Sequence, residues 1–292
     1  MKRLFLLSAI ALVAICSSAC GSSQIGTPTK PEAPERQGFE EGIPLYGDVE
    51  SVVITQYKLE DKFGEVVRGG ILGCRKYYFN DAGDIIERAW YNSDGSLIDK
   101  AIYKYDSSGN MIEVAYYKSD GSLDYKDIYK YDSSGNMIVY AKYNSDGSLG
   151  SKTIYKYDSS GNKIEYATYN SDGSLNEKEI YKYDSSGNKI EEARYKSDGS
   201  LNEKEIYEYD SSGNKIEYAE YNPDGSLYCK WICKYDSSGN RIEWARYNSD
   251  GSLFEKYIYK YDSRGNLIEV TKYRSEALIP VLLVVLEITY RN

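Results

Sequence analysis

Acidic side chains recur along this chain at spacings that invite a catalytic reading. Glu165 and Glu179 bracket one turn, and Glu191 and Glu205 bracket the equivalent turn 26 residues later. Two carboxylates facing each other across paired strands could serve glycoside hydrolysis, one as the acid and the other as base or nucleophile. Such a pair needs a cleft that separates the two pKa values. A pairing that recurs with each repeat instead points to a solvated ladder balanced by neighbouring lysines. Asn170, Asp172 and Ser174 have the spacing of a calcium loop. Each loop supplies a single carboxylate, however, and equivalent loops along one sheet edge lie about 9–10 Å apart, too far to share an ion, so no metal site is expected. Cys229 and Cys233 would stand about 13 Å apart on a strand, beyond disulfide reach, and with Cys74 they are expected to be stray thiols. Among 292 residues there is no histidine, which removes imidazole triads and His-ligated zinc. No catalytic residue and no cofactor are expected, and the chain does not read as an enzyme.

Tyrosine is the other residue type with chemical potential. Thirty-three tyrosines against five phenylalanines and three tryptophans favour strands. Tyr169, Tyr181, Tyr195 and Tyr207 are expected to share one sheet face, where flat rings with a hydroxyl handle could stack on sugars or partner peptides. The same rings could serve the sheet itself, since aromatic cross-strand pairs contribute roughly 0.2–1 kcal/mol each. A formal charge of −9 argues against nucleic acid as a partner.

The elements that must hold these side chains repeat at a fixed period. Tyr105-Asp106-Ser107-Ser108-Gly109-Asn110 returns every 26 residues up to Tyr261, preceded by a variant at Phe79. A second signal, Tyr169-Asn170-Ser171-Asp172-Gly173-Ser174-Leu175 in one unit, alternates with it. Gly109, Gly135, Gly161, Gly187, Gly213, Gly239 and Gly265 close the first kind of turn, and Gly121, Gly147, Gly173, Gly199, Gly225 and Gly251 the second. Eight units run over residues 79–286, the last degenerate.

Each unit predicts a β-hairpin. In Asn222-Pro223-Asp224-Gly225, proline suits the first central position of a type I turn and glycine the left-handed position after it. That turn sets Asn222 against Ser226 and Tyr221 against Leu227. Counting onward without interruption sets Ala219 against Cys229, Ile216 against Ile232, Tyr181 against Glu191 and Ile164 against Ile180. One face would then carry the isoleucine pairs with Lys178, Lys182 and Tyr166. The other would carry Tyr169, Tyr181, Tyr183, Ala167 and Leu175 with Glu165 and Glu179. Sixteen strands exceed what a twisted flat sheet tolerates. The expected fold is all-β: tandem 26-residue β-hairpin repeats forming one long, curved or coiled antiparallel meander sheet. Residues 45–78 predict an N-terminal capping hairpin. The apolar run Val281 to Leu286 predicts a final strand beneath the curl of the sheet, ending over residues 287–292. A transmembrane barrel is not expected, because lysines and glutamates on the two faces leave no continuous lipid-facing band.

The amino end is a separate unit. Lys2 and Arg3 precede an apolar run from Leu4 to Ile15, then small residues up to Cys20. This segment resembles a bacterial lipoprotein signal, which implies removal of residues 1–19 and lipidation at Cys20, with a membrane partner through that anchor. Residues 20–44, rich in proline and small polar residues, predict a flexible tether.

The units Tyr-Asp-Ser-Ser-Gly-Asn followed by Met111-Ile112, Lys163-Ile164 or Arg241-Ile242 resemble YD repeats, also called RHS repeats. Their tyrosine-to-glycine spacing is also similar to MORN-type repeats. The resemblance covers residues 79–286 and implies an extracytoplasmic β-repeat protein. Large YD-repeat proteins build shells around toxin domains, and eight units fall short of such a shell. The function expected is a non-enzymatic lipoprotein of the bacterial cell envelope, at the outer membrane, that acts as a binding or scaffold module for a glycan or protein ligand. The alternative is an immunity-type protein that neutralises a partner toxin.

Overall fold

A computed structural model describes residues 45–62, 65–274 and 278–291. The signal segment 1–19, Cys20 and the tether 20–44 lie outside the described residues. Eighteen strands follow one another: β1 (Val49–Lys62), β2 (Glu65–Phe79), β3 (Ile85–Asn92), β4 (Leu97–Tyr105), β5 (Met111–Lys118), β6 (Leu123–Tyr131), β7 (Met137–Asn144), β8 (Leu149–Tyr157), β9 (Lys163–Asn170), β10 (Leu175–Tyr183), β11 (Lys189–Lys196), β12 (Leu201–Tyr209), β13 (Lys215–Tyr221), β14 (Leu227–Tyr235), β15 (Arg241–Asn248), β16 (Leu253–Tyr261), β17 (Leu267–Arg274) and β18 (Ile279–Tyr290). Every strand is antiparallel to its neighbours in sequence, as the repeats predict.

The sheet does not end in free edges. β1 pairs with β18 from Val49 opposite Tyr290 to Lys58 opposite Leu282, so the meander closes into an 18-stranded barrel. This corrects the open curved sheet expected from sequence, and it corrects the role of both terminal elements. The 45–78 hairpin and the 281–286 run do not cap separate ends or lie beneath a curl; they meet side by side in the wall. The reason is that a long meander leaves two rows of unpaired backbone groups, and closure is the arrangement that removes them. An even number of strands makes the first and last antiparallel, so the seam forms the same ladder as every other pair.

Both kinds of turn adopt the predicted geometry. Gly187 N–H donates to the Asp184 carbonyl at 3.1 Å and Asp184 N–H to the Asn188 carbonyl at 2.9 Å. Gly225 and Asn222 repeat the pattern at the other kind of turn. The thirteen turn glycines named above have φ between 78° and 87°, a region where a Cβ is strained. Asp184 Oδ1 also accepts from Ser186 and Asn188 N–H at 2.9 Å each, while Asp172 Oδ1 accepts from Ser174 N–H and its hydroxyl. These aspartates hold the turns together.

The register beyond each turn departs from an uninterrupted count. Tyr221 does face Leu227, but Tyr228 then bulges out of the ladder, so Glu220 faces Cys229 and Glu217 faces Ile232. At the first kind of turn Ile190 bulges, so Lys182 faces Glu191 and Tyr181 faces Glu192; likewise Ile180 faces Glu165, not Ile164. Each strand from β3 to β17 carries such an extra residue at its second position. A one-residue slip moves every later side chain to the opposite face, which is why the predicted isoleucine pairs do not form. Ile112, Ile164, Ile190 and Ile242 are bulge residues and are exposed. Bulges at both rims add the local twist and bend that closing a barrel requires.

Candidate functional site: the tyrosine-lined interior

The bulges sort each strand into two chemically distinct faces. On the outer face, Glu191 lies between Lys182 and Lys204, each 2.8 Å away, and Glu243 between Lys234 and Lys256 at 2.9 and 2.7 Å. Glu165 repeats the arrangement with Lys156 and Lys178. Hydrogen bonds from Lys156 and then Lys178 hold the Glu165 carboxyl below the usual carboxylate range. Partial burial opposes ionisation at Glu191, but Lys182 and Lys204 outweigh it and its pKa is also lowered. The Lys182 side chain is 62% exposed, and its counterparts match it. A lipid-facing surface would bury such lysines at a cost of about 2–4 kcal/mol each near the midplane, so the ladder marks a face built for water. Among the described residues no helix is long and apolar enough to cross a membrane.

On the inner face the tyrosines do structural work. The Tyr183 hydroxyl donates to the Lys163 carbonyl at 2.6 Å, and Tyr105, Tyr131, Tyr157, Tyr209, Tyr235 and Tyr261 each donate in the same way to the carbonyl 20 residues earlier. That carbonyl stands one residue before the bulge, where the ladder is interrupted, and the phenol supplies a donor there. Burial pushes the Tyr183 phenol up to about 12 and keeps it a donor at any physiological pH.

The four candidate ligand tyrosines do not share a face. Tyr181 and Tyr207 point inward and are 6% and 7% exposed. Tyr169, opposite Leu175, and Tyr195, opposite Lys178 and Leu201, stand on the outer face half-buried. The carboxylate pairs separate in the same manner: Glu165 and Glu191 belong to the outer ladder, whereas Glu179 and Glu205 point inward. The intervening bulge is the cause in both cases.

Two arcs of the interior carry different chemistry. Around β10–β12 it is ionic. Glu179, 2% exposed, accepts from Tyr166 at 2.7 Å, Tyr181 at 2.6 Å and Arg194 Nε at 2.5 Å, and Arg194 also pairs with Glu203. Glu192 faces Glu205, which in turn faces Glu220. Lys189 lies 2.5 Å from Glu192, and Tyr207 donates to Glu192 and Glu205. Burial raises the pKa of Glu192, Glu205 and Glu220, whereas at Glu179 its hydrogen bonds and Arg194 overcome burial and lower it. Around β13–β16 the interior is aromatic. Tyr207, Tyr218, Trp231, Trp244 and Tyr257 follow one another with ring centroids 5.7, 4.1, 6.4 and 5.0 Å apart. They join Val52, Ile54, Leu267, Val270 and Leu286 in one core.

The cysteines sit differently from their predicted register: Cys229 faces Glu220 and Cys233 faces Trp244, and both are buried. The inward run Glu192, Glu205, Glu220 and the arginines Arg194 and Arg246 escaped the sequence reading. They were legible as departures from the repeat, glutamate at 192 where Tyr166 and Tyr218 stand one unit away, and arginine at 246 where Thr168 stands three units back. Among the described residues no cluster of three or more metal-ligating side chains occurs.

Comparison with known proteins supplies limited context. A family described as "Protein of unknown function (DUF2963)" matches residues 195–244 and 221–272, three of the repeats. No curated protein matches the chain. Among solved structures, the barrel is similar to a porin-like protein from Bacteroides uniformis at 9% identity and a TM-score of 0.45, over 82% of this chain and 96% of that one. It is also similar to TcdB2-TccC3, at 16% identity and a TM-score of 0.33, over 76% of this chain and 14% of that one. A putative outer membrane lipoprotein-sorting protein domain from Vibrio parahaemolyticus matches at 8% identity and a TM-score of 0.23, over 82% and 86%.

Proposed function

We propose that this chain is a non-enzymatic, lipid-anchored barrel of the bacterial cell envelope, held at Cys20, that acts as a binding or scaffold module for a glycan or protein ligand. The observation that carries this reading is the polarity of the barrel's two rims. Tyr46 N–H donates to Asn266 Oδ1 at 2.5 Å, and Asn266 Nδ2 donates to the Tyr290 hydroxyl at 2.8 Å. Both ends of the described chain therefore meet at the rim of Tyr-Asp turns. An anchor that precedes residue 45 would hold that rim toward the membrane and present the opposite rim, where β1 and β2 extend beyond their neighbours as a long hairpin. The buried carboxylates support the absence of catalysis, since Glu179 is saturated by Tyr166, Tyr181 and Arg194 and Glu205 is bound by Tyr207. Ligand contact by the tyrosines falls to Tyr169 and Tyr195 on the outer face, because Tyr181 and Tyr207 belong to the packed interior.

Fractionation of cells expressing wild type and Cys20→Ser tests the anchor: the variant should leave the membrane and lose labelling by a fatty-acid analogue. Protease shaving of intact cells then reports which face of the membrane displays the barrel. A glycan array and a pull-down on the full chain test binding, and capture of a toxin domain would shift the reading to the immunity-type alternative.

A further inference from the structure

Arg246 on β15 faces Glu255 on β16 and feels its charge, but that carboxylate is bound to Lys272, and Arg246 makes no ion pair of the kind its equivalents make. The equivalent Arg194 is clamped between Glu179 and Glu203, and the equivalent Lys272 pairs with Glu255 at 2.7 Å. For Arg246, the place that Glu255 takes beside Lys272 is held by Cys229, and its Nη2 donates only to the Cys229 sulfur, at 3.6 Å. Arg246 Nε is buried without a hydrogen-bond partner. Burial pushes the Cys229 thiol up to about 11, so it stays uncharged and does not neutralise the guanidinium.

Two exposed aromatic rings flank this cation from bulge positions that carry no aromatic residue in the earlier hairpins. Tyr228 and Phe254 occupy the bulge positions of β14 and β16, which hold Asp124, Gly150, Asn176 and Asn202 in earlier hairpins. They are 50% and 46% exposed, and the Arg246 guanidinium carbon lies 5.9 Å from the Tyr228 ring and 4.9 Å from the Phe254 ring. Together with Asn222, Asn248 and Asp250, whose carboxylate accepts from the Ser252 N–H and hydroxyl, they line a cavity of about 460 Å³ at the rim opposite the chain's entry. Flat rings stack on the apolar faces of pyranoses, amides suit their hydroxyls, and a forked guanidinium is matched to a carboxylate.

We infer that this cavity is a receptor for an acidic sugar, a pyranose bearing a carboxylate, which Arg246 grips as Arg194 grips Glu179 while Tyr228 and Phe254 stack on the ring. The inference deepens the binding-module reading and rests on it. A peptide carboxylate would meet the same arginine, but two exposed rings flanking a cavity with room for one or two sugar units favour the saccharide.

Calorimetric titration of the full chain with di- and trisaccharides carrying galacturonate or glucuronate, beside their methyl esters, tests it. The free acids should bind, the esters at least tenfold more weakly, with affinity falling as salt rises. Arg246→Gln should lose at least tenfold toward the acids at unchanged melting temperature, with Arg246→Lys intermediate, and Tyr228→Ser should weaken acid and ester alike. Equal binding of acids and esters, no binding of the acids by wild type, indifference to Arg246→Gln, or preference for a carboxylate-terminated tripeptide would each overturn it. A glycan array returning only neutral glycans with no dependence on Arg246 would overturn this site yet leave the binding module standing, whereas failure of the Cys20 experiments would touch only the anchored module.

Discussion

The arcs around β10–β12 and β13–β16 carry the same lysine–glutamate ladder outside and opposite chemistry inside. Outside, Lys182–Glu191–Lys204 and Lys234–Glu243–Lys256 are the same ladder with distances matching within 0.1 Å. Inside, one arc buries Glu179, Glu192 and Glu205 among tyrosines and Arg194, and the other stacks Trp231, Trp244 and Tyr257. The repeat therefore specifies turns, bulges and the outer ladder, and leaves the interior free to change chemistry as long as it stays packed. A barrel wall permits this because each hairpin is held by its neighbours' backbones and only secondarily by its inward side chains.

The largest effect should come from changing the strand count that both arcs share. Deleting residues 157–182 removes one 26-residue unit and leaves sixteen strands, which still close antiparallel. Deleting 157–169 leaves seventeen, for which β1 and the last strand would run parallel and the seam cannot form. The first protein should melt cooperatively by circular dichroism and the second should not; equal behaviour would contradict closure. Next, Trp244→Ala in the aromatic arc should cost about 3–5 kcal/mol in denaturant unfolding, as large-to-small changes at buried aromatics do. Arg194→Gln should be comparable, about 3–5 kcal/mol, because it strips Glu179 of its cation in a buried setting. Arg246→Gln, at the equivalent position in the other arc, should cost far less. Similar losses at 194 and 246 would erase the distinction drawn between the arcs.

Tyr183→Phe removes one phenol-to-carbonyl bond and should cost roughly 1 kcal/mol, measurable by chemical denaturation. The smallest effect is a matter of pH. Burial raises the folded-state pKa of Glu205, so the folded protein holds its proton more tightly than the unfolded chain and stability falls as pH rises above the ordinary carboxylate range. Glu205→Gln should melt higher than wild type at pH 7, and that advantage should vanish as pH falls toward about 4.3. Glu191→Gln on the outer ladder should behave oppositely. The lowered pKa of Glu191 contributes stability above the ordinary range that is lost on acidification, so the variant should melt lower at pH 7 and converge with wild type in acid. A pH-independent difference for either would break the assignment of inner and outer carboxylates.

The hairpins, their number and the glycines that close them were legible because turn chemistry is local: Asn222-Pro223-Asp224-Gly225 admits few conformations whatever surrounds it. The assignment of faces was not legible, because it depends on one bulged residue per strand. Ile164, flanked by alternating polar residues, has the local pattern of a core position, and only the strain of bending eighteen strands into a ring puts it outside the ladder. Glu165 and Glu179 appeared to be partners for the same reason, and Tyr169 and Tyr181 appeared to share a platform.

Sequence by itself determined an all-β chain of antiparallel hairpins with period 26, two alternating turn chemistries and a formal charge of −9. Only the tertiary structure decided that the ends meet, which face is interior, and that Arg246 stands between two exposed rings without an ion pair. The physical reason is range. Turns are settled by contacts within about five residues, whereas closure pairs Val49 with Tyr290 and rewards 18 strands together for satisfying two edges that no single repeat can sense.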